Sequence, residues 1–413
     1  MSNFEEIAFD KGVNISRPKV LLEKNEMYVC EGFDLEYIGI LRGRDPRSEV
    51  MEVTGPYPSG EWPPIYPPYV PPPEPPNLNY NMIPFEMVTD GNYIWIAGYS
   101  ITALNYKMKV IKISLTNLGI IDEAEYDTYT GTSSEAYAGI VLVGNSIYAI
   151  GNDRDPVTTR LRAVVHKLDK DNLSSRSWSY VYSVPGIDCY FQTGIADADY
   201  LYLVGNYTTT IVLKCKIALS DGTANWEIRT TATSPVGIST DGNEIFIHKH
   251  TGGINTIESV NKGTGVGTDH SQADGGNLYR GFYDSGYIYT CALSPSSGDT
   301  QGMCRKVKVS DWSITWTYRH NTAVSGADDL KNCVYSGNSI YAIGITSNPA
   351  NSYVICKLSD IDGSEQLKKV IGTQTVFYCI LADTPYLYIA GHVIGIDNSM
   401  WIEKRNLTDL ELA

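Results

Sequence analysis

Asp90–Gly98 reads DGNYIWIAG: a turn pair, an apolar residue, an aromatic, then small apolar residues closing on glycine. The phrase returns six times. Val143–Gly151 is VGNSIYAIG, Asp197–Gly205 is DADYLYLVG and Asp241–Lys249 is DGNEIFIHK. Asp284–Ala292 is DSGYIYTCA, Ser336–Gly344 is SGNSIYAIG and Asp383–Gly391 is DTPYLYIAG. The register aromatics are Trp95, Tyr148, Tyr202, Phe246, Tyr289, Tyr341 and Tyr388, spaced by 53, 54, 44, 43, 52 and 47 residues. Asp-Gly and Gly-Asn accept positive φ, so each copy predicts a tight hairpin entering a strand.

Each copy has the same neighbours. A short apolar strand precedes the turn, such as Gly139–Val143 or Phe377–Leu381. A third strand follows in an apolar–Lys–apolar–polar register: Ile111–Ser114, His166–Asp169, Cys215–Ala218 and Cys356–Ser359. A fourth often holds tryptophan, as at Trp178, Trp226 and Trp312 or Trp316. Four strands per unit of this length are the dimensions of a propeller blade. The sequence therefore predicts an all-β fold, a seven-bladed β-propeller over residues 83–413. The seventh unit is short of a fourth strand, and the alternating segment Ser48–Val53 is the expected replacement, pairing beside Trp401–Lys404.

Composition agrees with many short strands. The chain of 413 residues has 30 Tyr against 8 Phe, with 37 Gly and 20 Pro. The net charge of −15 argues against tight nucleic-acid binding, which needs a basic footprint. No apolar run is long enough for a membrane span, and MSNFEEIAFDKG lacks the basic start and apolar run of a signal peptide. Residues 1–54 lie outside the repeat and are read as an assembly segment. Residues 55–82 form a strap, and 11 prolines fall between Gly55 and Pro76, which favours extended polyproline II. Such a segment is either a solvent-exposed linker or a stiff spacer or docking strap, and Trp62, Tyr66 and Tyr69 favour packing against a partner surface.

Motifs for chemistry are sparse. Gly263–Gly267 lacks the strand-then-helix context of a phosphate loop and reads as a blade turn. Asp360–Gly363 lacks the acids of a calcium loop, having Leu358 and Lys369 where they would stand. His248 and His250 share one strand face, with Asp269 and His270 beyond, but Lys249 intervenes and no third ligand has fixed spacing. The eight cysteines contain no CxxC and read as packing thiols. Cys215, Cys356 and His166 occupy one slot of the repeat, which points to burial rather than catalysis. Lys216–Trp226 is similar to the repeat of quinoprotein-like propellers, and blade geometry alone accounts for it. Catalytic residues, cofactor and metal are all expected to be none.

Gly12-Val13-Asn14 leads to Pro18, Leu21-Leu22, Glu26, Phe33-Asp34 and Gly39-Ile40-Leu41-Arg42-Gly43-Arg44. This phrase resembles the opening of phage virion propeller proteins, a family that includes the tail nozzle (tail tubular protein B) of short-tailed phages. Gly43 between the arginines, no proline after Arg44 and the proline strap depart from that pattern. The resemblance implies a structural protein in the virion, in a neck, tail nozzle or tail hub, made in the host cytoplasm. It implies portal, adaptor or tail proteins as partners and a homo-oligomeric ring. Gly12, Asn14, Pro18, Phe33, Asp34, Gly39, Leu41, Arg42 and Arg44 are then the subunit-contact candidates, joined by Trp62, Tyr66 and Tyr69. The alternative is a receptor- or glycan-binding propeller that uses Tyr and Trp rims as stacking platforms.

Overall fold

In a computed structural model, residues 20–23, 26–29 and 80–413 are described, with short gaps at 103–104, 128–133, 209–210, 232–233, 252–253, 276, 297–298, 321–327, 347–351, 372–374 and 394–398. Two units are distinguished, Met1–Pro71 and Pro72–Ala413. In the first, Val20–Glu23 pairs antiparallel with Glu26–Val29, Leu21 opposite Tyr28. The second is a seven-bladed β-propeller, and no helix occurs among its described residues.

The repeated phrase supplies the first hairpin of every blade. Gly91, Gly144, Gly242, Gly286 and Gly337 all take positive φ at these turns, where an L side chain is strained. Blade 1 runs Ile83–Thr89, Tyr93–Thr102, Asn105–Ser114 and Ile120–Tyr126. Blade 2 is Ala136–Val143, Ser146–Arg154, Leu161–Asp169 and Asn172–Tyr182. Blade 3 is Tyr190–Ala196, Tyr200–Thr208, Ile211–Ala218 and Ala224–Thr231. Blade 4 is Pro235–Thr240, Glu244–Thr251, Ile254–Asn261 and Gly267–Gly275. Blade 5 is Asn277–Asp284, Tyr287–Ser296, Asp299–Lys308 and Ile314–His320. Blade 6 is Asp329–Ser336, Ser339–Thr346, Ser352–Ser359 and Glu365–Ile371. Blade 7 has Thr375–Asp383, Tyr386–Val393 and Ser399–Asn406, completed by Tyr80–Asn81.

The seven register aromatics occupy equivalent second-strand positions, all essentially buried. The glycine that closes five of the phrases has a separate cause. Every first strand carries a bulge, and the bulge turns a backbone carbonyl towards the second strand. A Cβ on Gly98, Gly151, Gly205, Gly344 or Gly391 would stand 1.7–2.1 Å from that oxygen. No side chain fits there. Blade 5 has Ala292 instead, and its bulge takes up two residues, Tyr279 and Arg280, where the other blades take up one.

Ser48–Val53 lies outside the described residues, and the pairing found on the outer edge of blade 7 comes from elsewhere. Tyr80 pairs with Met400 and Asn81 with Ser399, so the end of the 55–82 segment belongs to the propeller. Asn81 also bonds the backbone of Ile101 through both its amide nitrogen and its oxygen, at 3.1 Å for the latter. At the other end of the same edge, Leu412 bridges Arg405 and the Ala413 amide donates to the Lys404 carbonyl at 3.0 Å. The intervening turn copies those of blades 3, 4 and 6: Leu410 donates to Asn406 at 3.0 Å, as Gly222, Gly265 and Gly363 do to Ala218, Asn261 and Ser359. Two short pieces therefore share the work of one outer strand.

Candidate functional site

The lysine register becomes intelligible between blades. Lys167 crosses to the next blade and donates to the Leu219 carbonyl at 2.8 Å, and the Tyr148 hydroxyl reaches the same oxygen at 3.3 Å. Lys216 and the Trp226 indole both donate to the Lys262 carbonyl at 3.2 Å. Lys306 and Trp316 converge on the Asp360 carbonyl at 2.9 and 3.0 Å, and Lys357 and Tyr341 on that of Leu407 at 3.0 and 2.8 Å. In blade 1, Trp95 donates to the Lys170 carbonyl at 3.2 Å, while Lys112 pairs with Asp171 at 2.8 Å. The ammonium groups of Lys112, Lys167, Lys216, Lys306, Lys357 and Lys404 also stand over the second-strand aromatics. Trp226 and Trp316 meanwhile lie against the turn glycines of the next blade, Gly265 and Gly363, where a Cβ would meet the ring. These latches tie each blade to the next.

On the axis, the wide bulge of blade 5 directs Arg280 across the channel. Its guanidinium pairs with Glu86 of blade 1 at 3.0 Å and donates to the Ala138 carbonyl of blade 2 at 2.8 Å. Glu86 also accepts from the Ile140 amide at 3.1 Å and the Thr193 hydroxyl at 3.3 Å. Enclosure pushes the Glu86 carboxyl above its usual range, against the pull of Arg280. The space left beside this bridge, edged by Asn332 and Cys379, has a volume of about 190 Å³. The channel is bridged by protein at this level.

A second hollow, about 540 Å³, opens between blades 2 and 3, lined by Ser146, Tyr148, Lys167, Asp199, Tyr200 and Ser220. Tyr148 is nearly buried and Lys167 is bonded to the Leu219 carbonyl, so what the hollow presents is the half-buried Tyr200 ring and the Asp199 carboxylate.

The sequence-stated candidates fare unevenly. Gly12, Asn14, Pro18, Phe33, Asp34, Gly39, Leu41, Arg42, Arg44, Trp62, Tyr66 and Tyr69 all lie outside the described residues. Cys215, Cys356 and His166 are equivalent and buried, as the repeat implies. Burial pushes the Cys356 thiol up to about 12 and drops His166 to about 3. The histidine cluster of blade 4 is dispersed. His248 is buried against Gly281 and bonds Ser239, His270 stacks on Trp312, and Asp269 pairs with Lys249 at 2.5 Å. Lys216–Trp226 is a third strand, turn and fourth strand, with Gly222 at φ +77°.

One cluster escaped the sequence reading. The sulfurs of Cys291, Cys304 and Cys333 lie within 4.8 Å of one another, and all three residues are buried. Cys291 and Cys304 are cross-strand partners in blade 5, and Cys333 arrives from the first strand of blade 6. The flanking thiols donate towards Cys333 and favour its thiolate, whereas burial raises Cys291. No local spacing announces a cluster assembled across two blades; only superposing the repeats would place it.

No family model matches the chain, and no curated protein matches it. Among solved structures it is similar to U3-55K, with a TM-score of 0.56 at 7% identity over 78% of this chain and 95% of that one. The RRP9 WD40 repeats give 0.54 at 8% identity, over 78% and 94%. BamB from Moraxella catarrhalis gives 0.44 at 11% identity, over 77% and 83%. The first two likenesses show the fold alone.

Proposed function

We propose that the chain is a non-enzymatic structural protein of a virus particle, a rigid propeller module repeated around a ring at a neck, tail nozzle or tail hub. The observation that carries this reading is the phrase from Gly12 to Arg44 standing ahead of a seven-bladed propeller. Two features support it. The blades are latched to one another through lysine and aromatic donors, which suits a load-bearing wedge. The propeller axis is bridged by Glu86 and Arg280, so a nucleic-acid conduit would be the lumen of the subunit ring, where a net charge of −15 lets DNA slide without sticking. Residues 1–54 and the proline strap supply the subunit contacts.

The test is incorporation. Particles assembled with the full chain should contain it at a fixed copy number, by quantitative mass spectrometry. A chain lacking residues 1–54 should stay out of them. Equal incorporation of that truncation would overturn the assigned role of the segment, and absence of the full chain from particles would overturn the reading itself.

A second reading, a glycan- or receptor-binding propeller, is favoured by the hollow that presents Tyr200 and Asp199. Sugar rings stack on aromatic faces while carboxylates accept from their hydroxyls. Glycan-array binding that Asp199→Ala abolishes would favour it over the structural role.

A further inference from the structure

We propose that Cys291, Cys304 and Cys333 form a trithiolate site for a soft monovalent metal ion, copper(I), at the seam of blades 5 and 6. The donor set is all sulfur, and thiolates select soft ions over magnesium, calcium or manganese. With metal–sulfur bonds near ~2.3 Å, three trigonal sulfurs stand about 4 Å apart. The observed separations, within 4.8 Å, need a contraction of less than about 1 Å, within reach of χ1 adjustments.

Two further observations narrow the ion. Cys291 and Cys304 are fully buried and Cys333 is 3% exposed, within the apolar cluster that holds Tyr289, Leu330, Ile340 and Ala342. An ion content with three ligands fits there, whereas structural zinc takes four. The three positions are also not equivalent slots of the repeat. Cys304 stands where the other third strands carry Val110, Val165, Lys214, Ile257, Ile355 and Ile402, and Cys291 where other second strands carry Ala97, Ile150 or Ile343. The convergence is thus particular to this seam. Binding forms metal–sulfur bonds and releases thiol protons to solvent without redox change, so affinity rises with pH.

The full chain, reduced and held without oxygen, would be titrated with copper(I) against a competing chromophoric chelator. The expected result is one equivalent bound, with an ultraviolet sulfur-to-copper band and the corresponding mass by native mass spectrometry. Cys333→Ser should lose the band, and Cys215→Ser and Cys379→Ser should keep it. Should Cys333→Ser fold poorly, X-ray absorption of the copper-loaded wild type decides instead, with three sulfur neighbours expected. No band, a band that survives in Cys333→Ser, or a two-sulfur shell would each overturn the proposal. So would tighter binding of zinc(II) than copper(I), or recovery of a Cys291–Cys304 disulfide from the reduced preparation.

Discussion

The seam between blades 5 and 6 and the seam between blades 4 and 5 join the same strands by different chemistry. At the first, Lys306 and Trp316 converge on the Asp360 carbonyl, and Trp316 rests on Gly363. At the second, Ser259 replaces the lysine and Phe246 has no polar atom to share a carbonyl. The large ring has moved to the other side: Trp312 occupies the turn position that is glycine in blades 3, 4 and 6, at φ +59°. His270 of blade 4 stacks upon it with centroids 3.6 Å apart and planes 8° from parallel. The apolar core there is also small, built on Phe246, Ile257, Ile288 and Val307. A repeat therefore fixes where the seam lies, while the residues that close it are exchangeable provided ring and space remain matched.

Blade 4 offsets its missing latch on its other side with buried charge. Glu258 lies between Lys214 at 2.7 Å and Lys249 at 3.0 Å, all three nearly inaccessible to water. Gly267 makes room, since a Cβ there would stand 2.2 Å from the carboxylate. Removing the central anion leaves the Lys214 ammonium buried without its carboxylate and Lys249 with Asp269 alone. Glu258→Gln should therefore cost about 3–5 kcal/mol in urea unfolding, the largest single loss in the ring. A loss below about 1 kcal/mol would mean that water reaches this seam.

The next test concerns the bulges. Gly344→Ala places a Cβ 1.7 Å from the Asp329 carbonyl and should cost about 2–3 kcal/mol, because the backbone itself must shift. The wide bulge of blade 5 already accommodates Ala292, so Ala292→Gly should cost only about 1 kcal/mol, through the unfolded chain's entropy. Equal effects at the two positions would break the account of why glycine closes five phrases.

Much of this was legible from residues. The phrase spacing predicted seven blades, and the shared slot predicted buried Cys215, Cys356 and His166. The role of the lysines was not, because their partners are carbonyls 46 to 54 residues away whose positions depend on blade packing. The Glu86–Arg280 bridge and the three-cysteine cluster were hidden for the same reason. Closure by Tyr80–Asn81 was not legible, because alternation marks a strand of several residues and this pairing segment has two; Ser48–Val53 lies outside the described residues.

A smaller effect separates latched from unlatched seams. Lys306→Met keeps the aliphatic stem and deletes bonds to the Asp360 carbonyl at 2.9 Å and its carboxylate at 2.7 Å. The Trp316 indole still holds the carbonyl, so the cost should be about 1–2 kcal/mol by urea midpoint. Ser259→Met, at the equivalent place in blade 4, loses only the bond to His270 at 3.0 Å and should change stability by less than about 1 kcal/mol. If the two substitutions cost the same, the lysine register contributes nothing as a latch.

The smallest expected effect is on pH. His166 in blade 2 is enclosed beside the Tyr137 hydroxyl, with Arg176 directed at Nε2 from 3.4 Å and Tyr126 against its ring. Burial, then Arg176, drops it to about 3. Burial alone drops His248 to about 4, at the unlatched side of blade 4. Both folded values lie below the ordinary 6.5, so folding favours neutral rings. That contribution is whole above pH 6.5 and is lost as pH falls towards 4 and then 3. Between pH 7 and 5.5 each ring should therefore withdraw about 1 kcal/mol of stability. The double variant His166→Gln/His248→Gln should be less stable at neutral pH yet show a flatter profile. His270→Gln should leave the slope nearly intact, because that ring is half-buried and Asp269 opposes its downward shift. Carboxylates such as Glu86 and Glu403 titrate alike in all these proteins and cancel in the comparison. An unchanged slope in the double variant would mean that both imidazoles take up protons within the fold, and that the blade 4 seam opens no more readily in acid than its neighbours.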